Sequence, residues 1–135
     1  MMGLKFFGKW PADDVKIKDQ GLERYISLKP SQVLHAAGRQ AHKQFGKAEV
    51  SIVERLINKI MRSGPGTKKL GGRRIRGSKS CGKKQRAHNI ICSAFEIIEQ
   101  RAKKNPIQVL IDATQNSAPR EETTRISYGG ITYHV

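Results

Sequence analysis

Gly77 to Lys84 reads Gly-Ser-Lys-Ser-Cys-Gly-Lys-Lys, a near miss to a phosphate-cradling loop. That loop needs a hydroxyl after its lysine to hold magnesium, and Lys84 stands in that place. It also needs an apolar strand before it, whereas Arg73-Arg74-Ile75-Arg76 comes first, so nucleotide hydrolysis is not expected. Cys81, His88 and Cys92 suggest a metal set, with His88 and Cys92 four apart and on one face of any helix. A structural zinc takes four ligands, and the fourth would have to come from His35, His42, His134 or a carboxylate. The plainer reading is a buried thiol at Cys92 and a polar or partner-facing His88. Asp13-Asp14 and Glu121-Glu122 are adjacent pairs without an apolar pocket to raise a pKa, so a solvated surface suits both. No Ser or Cys sits in a nucleophile elbow. We expect no metal, no cofactor and no enzyme.

The residue types that remain are cations. The chain has 135 residues, one domain's worth, with 26 Lys and Arg against 11 acids and a formal charge of +15. Residues 63–88 hold nine bases, no acid and six glycines, while residues 89–135 hold five of each sign. Such an excess repels itself unless a polyanion lies against it, and nucleic acid is the usual partner of a small domain this basic. An anionic membrane is the rival, but it would require an apolar helical face or a long apolar run, and no run approaches 18 residues. The first residues, Met1 to Trp10, lack a signal-peptide core, and two cysteines are too few for a disulfide framework. A cytoplasmic protein is expected.

The basic residues assigned to the nucleic acid are Lys68, Lys69, Arg73, Arg74, Arg76, Lys79, Lys83, Lys84 and Arg86 in a Gly-rich loop spanning 63–88. Glycine and like charges should keep that loop mobile in isolation, folding onto phosphates when bound. Arg39, Lys43 and Lys47 form a second patch, the two lysines facing alike if helical. Arg120, Arg125, Tyr128 and Tyr133 form a third. The tyrosines either stack on bases or hold a hairpin together as cross-strand partners. Neutralising about 6–8 phosphates would give a log–log salt slope of roughly −5 to −7. Arg55 is read as a helix-surface ion-pair residue.

These side chains need elements to position them. Ser51 and Glu54 have capping-box spacing, and Ile52, Val53, Leu56, Ile57, Ile60 and Met61 form a helical stripe stopped by Gly64-Pro65. A second helix is predicted over Arg86 to Lys104, burying Ile90, Ile91, Ala94, Phe95, Ile97, Ile98 and Ala102. Asn105-Pro106 opens a third with Ile107, Leu110 and Ile111 on one face, flanked by Val109; the Asn-Pro start favours helix over strand for this run. Asp112 should face water. An earlier helix is predicted within 31–45, interrupted by Gly38, and short β-prone pieces lie around Val15-Lys16-Ile17 and Tyr25-Ile26. Gly129-Gly130 between two β-prone runs predicts a hairpin over 121–135. Its second run meets the chain end without a turn signal, which reads as an interruption. The fold class is therefore mainly α: a helical bundle with a protruding β-hairpin.

Taken in order, several segments resemble a known family. They are Phe7-Gly8-Lys9-Trp10, Asp14-Val15, Tyr25-Ile26, His35, Ala37-Gly38-Arg39 and Phe45-Gly46-Lys47-Ala48. The match continues through Ile52 to Asn58, Ala94 to Ile98, Asn105-Pro106-Ile107, Asn116 to Glu121 and Thr124-Arg125-Ile126. The chain is similar to small-subunit ribosomal protein seven, in its archaeal and eukaryotic form. That resemblance implies contact with small-subunit ribosomal RNA and neighbouring ribosomal proteins, organising the head of the subunit. It also implies a place at the exit side of the tRNA and mRNA path, with the hairpin near departing tRNA. Two departures stand out. The family continues into further C-terminal helices, and bacterial relatives replace the long basic loop with a short Gly-Lys-Lys turn. A free-standing DNA- or RNA-binding regulator is the rival, but no clear recognition helix or dimer face is visible in the sequence.

Overall fold

Ile52, Val53 and Ile57 recur at helical spacing, and in the computed structural model, which describes residues 3–77 and 79–135, they form the buried stripe of a helix over Ile52–Ile60. Four helices are described: α1 (Gln20–Glu23), α2 (Ile52–Ile60), α3 (Lys84–Ala102) and α4 (Pro106–Ser117). Two antiparallel hairpins join them: β1 (Pro65–Leu70) with β2 (Arg73–Arg76), and β3 (Arg125–Tyr128) with β4 (Ile131–His134). Helix α3 packs on α2 along one side and on α4 along another. Ala87, Ile91 and Phe95 of α3 meet Val53 and Ile57 of α2 and Ile107 and Ile111 of α4 in one core. Each fully buried aliphatic side chain there contributes about 1.5–3 kcal/mol. The expected mainly helical bundle with a hairpin is what forms, with a second hairpin added.

The N-terminal strap closes the core. Phe6 and Trp10 pair their backbones across a tight turn, with Phe7 and Gly8 at positive φ, and both aromatic rings are buried. Phe7 and Trp10 meet Phe95 edge-on at 5.8 and 5.7 Å between centroids. Trp10 Nε1 donates to Glu99 at 3.0 Å, and Lys9 pairs with Glu96. That hydrogen bond to Glu96 holds the Lys9 ammonium above the ordinary lysine range. On α4, the Gln108 amide accepts from Lys16 N and donates to Lys16 O, at 2.9 and 3.1 Å, as a neighbouring strand would.

Asn105 does two jobs. Its Oδ1 accepts from Ile107 N at 3.0 Å, the cap anticipated for α4, and its Nδ2 donates to the Pro11 carbonyl at 2.8 Å. Asn105→Ala should therefore cost about 1–2 kcal/mol, at the upper end for a cap, read as a lowered urea midpoint. A midpoint shift near zero would mean that water replaces both bonds.

Several expectations are corrected. The helix anticipated within 31–45 is a single 3₁₀ turn, Arg39–His42, with a second beyond that range at Gly46–Glu49, because Ala37, Gly38 and Phe45 take positive φ and break the run. The capping box at Ser51 does not form. Ser51 bridges Ser27 in a short parallel pairing, Ile52 N donates to Ser27 O at 3.0 Å, and the Ser51 hydroxyl is left buried without a partner. Helix α3 begins at Lys84, two residues before the expected Arg86, and ends at Ala102. Its buried face is narrower than expected: Ile90 and Ile97 are half exposed and Ala94 and Ala102 are exposed. With 3.6 residues per turn, Ala87, Ile91 and Phe95 line the seam toward the core, whereas Ile90 and Ile97 lie off it. Arg55 makes no ion pair among the described residues; it donates to Tyr25 O at 2.8 Å. Asp112 accepts from Gln108 Nε2 at 2.9 Å and is only partly exposed.

Candidate nucleic-acid interface

The span anticipated as an irregular loop is largely a β-hairpin. Gly71 and Gly72, with φ of +55° and +79°, make the two-residue turn that right-twisted strands prefer. Leu70 opposes Arg73 and Lys69 opposes Arg74, with an irregularity nearer the root. Alternation then puts Leu70, Arg73 and Ile75 on one face and Lys69, Arg74 and Arg76 on the other. Gly66 is required at the root, since an added Cβ would lie 2.6 Å from the Ile75 carbonyl oxygen. Gly77 N donates to Gly64 O at 3.0 Å and Ser80 N to Ser63 Oγ at 3.2 Å, closing the base.

Among the described residues, no acid of the body pairs with this hairpin. Lys68, Lys69, Arg73, Arg74, Arg76 and Lys79 are exposed and make no ion pair among the described residues. Like charges directly opposed across a ladder destabilise it, and an isolated two-stranded hairpin is marginal in water. Neither hairpin makes a substantial contact with another element. The arrangement is therefore suited to lying against a polyanion.

Lys83, Lys84 and Arg86 enter helix α3 at its start. Lys83 occupies the cap position without a side-chain cap bond, so free N–H groups and three cations converge on one end. Basic residues there oppose the helix dipole, and a bound anion would relieve that conflict. Lys84 is the exception, because its ammonium lies 3.0 Å from Glu54 Oε1, with the carboxylate side chain only 8% and the lysine 21% exposed. Glu54 Oε1 also accepts from Ala36 N at 2.6 Å, so one buried carboxylate ties the 33–38 segment, α2 and α3 together. Glu54→Ala should cost about 2–3 kcal/mol and speed amide exchange at Ala36. Wild-type exchange at Ala36 in the variant would remove Glu54 from this role.

The second patch is dispersed. Lys43 is extended and pairs at 3.1 Å with Glu49, both largely exposed, which contributes little; Lys47 lies in the next 3₁₀ turn and Arg39 in the one before. Lys43 and Lys47 thus do not share a helix face. Arg120 is exposed beyond the end of α4. In the second hairpin, whose last strand runs to the chain end, the strand residues present pair fully, and Thr124 and Val135 exchange both backbone hydrogen bonds. Tyr128 opposes Ile131 and Tyr133 opposes Ile126, so the tyrosines are diagonal neighbours and not a directly opposed pair. Ile126, Tyr128, Ile131 and Tyr133 line one exposed face, and Arg125, Ser127, Thr132 and His134 the other.

The alternative chemistries find no support in the arrangement. Cys81 lies 3.4 Å from Ser63 Oγ, whose hydrogen bond draws the thiol below its ordinary range with help from nearby Arg76. His88 packs against Phe7, and Cys92 packs against the core. Among the described residues no three His, Cys, Asp or Glu side chains cluster as metal ligands. Within the Gly77–Lys84 run, Ser78 lies outside the described residues, and the preceding β2 is an exposed strand of a two-stranded sheet rather than a buried one. Lys59 and Arg62, which the charge pattern did not single out, line an open cleft beside α2. The only signal for them was their place at the end of a helix facing a Gly-broken segment.

A small helical platform that presents two exposed hairpins, one polycationic and one aromatic, defines a binding scaffold. Residues 22–135 match the family Ribosomal protein S7p/S5e, and the chain belongs to that family. Among its relatives is the small ribosomal subunit protein uS7 of Methanothermobacter thermautotrophicus, 49% identical over 129 residues. That alignment covers 96% of this chain, which spans 62% of the length of the relative.

Proposed function

We propose that this chain is a structural constituent of the small ribosomal subunit, without enzymatic activity, that binds small-subunit ribosomal RNA and takes part in translation in the cytoplasm. The observation that carries the reading is the β1–β2 hairpin, where Lys69 faces Arg74 with no counter-charge. Phosphates placed there turn a repulsive ladder into a bridged one, and each neutralised phosphate releases counterions. The family match supports ribosomal RNA as that polyanion. The bases Arg73, Arg74, Arg76, Lys68, Lys69, Lys79, Lys83 and Arg86 form the main contact, with Arg39, Lys43, Lys47 and Arg120 at its margins. Lys84 acts by anchoring Glu54.

Finer assignments follow the same line. The protein organises the head of the subunit beside other ribosomal proteins, and the β3–β4 hairpin lies near the exit path of tRNA and mRNA. Arg125 serves phosphates from one face, while Tyr128, 81% exposed, offers a stacking surface on the other. No described helix is long and apolar enough to cross a membrane.

Sedimentation of cell extracts tests the whole reading. The chain should travel with small subunits and stay there at moderate salt. Recovery only as free dimers on duplex DNA would replace it with a regulator.

A further inference from the structure

The segment from His35 to Lys47 stands off α2 and leaves an open cleft of about 420 Å³ between them. That size falls in the range of about 300–1,000 Å³ typical of small-ligand sites. The segment is held in place by two tight features. Ala37 and Gly38 take positive φ at its bend, and Gly46 approaches the Gln40 carbonyl oxygen so closely that a Cβ would lie 2.6 Å away.

The lining combines three kinds of group. Ala36, Val50 and Met61 supply apolar surface. Lys47, Lys59 and Arg62 supply positive charge and make no ion pair among the described residues. The one acid in the cleft, Glu54, is already matched by Lys84. Asn58 and Gln40 supply amides, and Gln40 Oε1 is buried without any hydrogen-bond partner. A buried acceptor without a donor is uncommon, and this one belongs to a residue that lines the cleft.

We propose that this cleft binds one unpaired nucleotide of a single-stranded RNA segment. The base lies against Ala36, Val50 and Met61. Its edge meets the amide of Asn58, which can donate and accept. Its flanking phosphates rest on Lys47, Lys59 and Arg62. Sequence-specific recognition of RNA uses unstacked bases in this way, whereas a base still paired in a helix cannot enter a cleft of this size. The inference rests on the RNA-binding reading above and adds a site that takes a base, not merely the backbone.

Photo-crosslinking of the full chain tests it with three probes: a tetraribonucleotide containing 4-thiouridine, the same sequence paired in a hairpin stem, and 4-thiouridine monophosphate. The single strand should crosslink within His35–Gln40 or Asn58–Arg62, and the paired form should not. Asn58→Ala combined with Arg62→Gln should weaken single-strand binding about tenfold, the scale of one lost base contact, and leave stem binding unchanged. Arg62→Gln alone, at an exposed position, gives a smaller loss without risk to the fold. Crosslinks confined to the two hairpins, with single-strand affinity unchanged in the variants, would overturn the site while leaving RNA binding intact. Competition by the monophosphate as effective as by the tetranucleotide would make it a free-nucleotide pocket and overturn it as well. Failure to bind any of the three probes, or ribosomal RNA, would remove the underlying reading too.

Discussion

Replacing Lys69, Arg73, Arg74 and Arg76 together by glutamine should weaken binding to small-subunit ribosomal RNA by roughly 10²–10³-fold near physiological salt. The argument is additive. Each phosphate contact on a duplex contributes about 0.9 to the slope of log affinity against log salt, so four lost contacts should flatten it by about 3–4. The free protein should respond in the opposite sense. Removing the Lys69–Arg74 opposition relieves a repulsion across the ladder, so the hairpin amides of β1 and β2 should exchange no faster than in the wild type. Weaker binding with an undiminished fold is the signature of a contact surface. A salt titration that returns the wild-type affinity and slope would mean these cations face solvent in the particle.

The largest stability effect is expected at Phe95. Its ring is buried where α3 meets the strap and makes edge-on contacts with Phe7 and Trp10. Phe95→Ala removes the transfer energy of the ring and leaves a cavity that the surrounding rings fill only in part. The cost should be about 3–5 kcal/mol. For a domain of this length that corresponds to a melting temperature lower by about 10–20 °C. Ile97→Ala, two residues along the same helix but 48% exposed, should cost less than about 1 kcal/mol. Thermal scans of the two variants check which face of α3 is inside. Equal losses would mean that both faces are covered in the folded protein.

The contrast between Phe95 and Ile97 also shows where sequence reasoning succeeds. Periodicity located α2, α3 and α4 within a few residues, and Asn105-Pro106 marked the start of α4 with its cap, because these signals act within one turn of backbone. The Gly129-Gly130 turn was legible for the same reason. Gly71-Gly72 carried the same signal, but the strands beside it are dominated by cations, with Thr67 and Ile75 their only β-branched residues, so it read as a loop. The Ser51–Glu54 spacing located the start of α2 but not the bonds that Glu54 makes. Glu54 had a nearby helix terminus to cap, yet Ala36 and Lys84, 18 and 30 residues away in sequence, took its carboxylate.

Composition alone set the expectation of a polyanion, since residues 63–88 carry nine bases and no acid of their own. Apolar spacing and caps, which are local properties of the chain, marked the three longer helices but neither α1 nor the 3₁₀ turns. Only the tertiary structure decided which cations remain free: Lys84 turns toward a carboxylate while Lys59 and Arg62 line a cleft. That choice depends on which distant groups folding brings within about 4 Å, a distance at which Coulomb energy outweighs local preference. Spacing along a sequence carries no record of it.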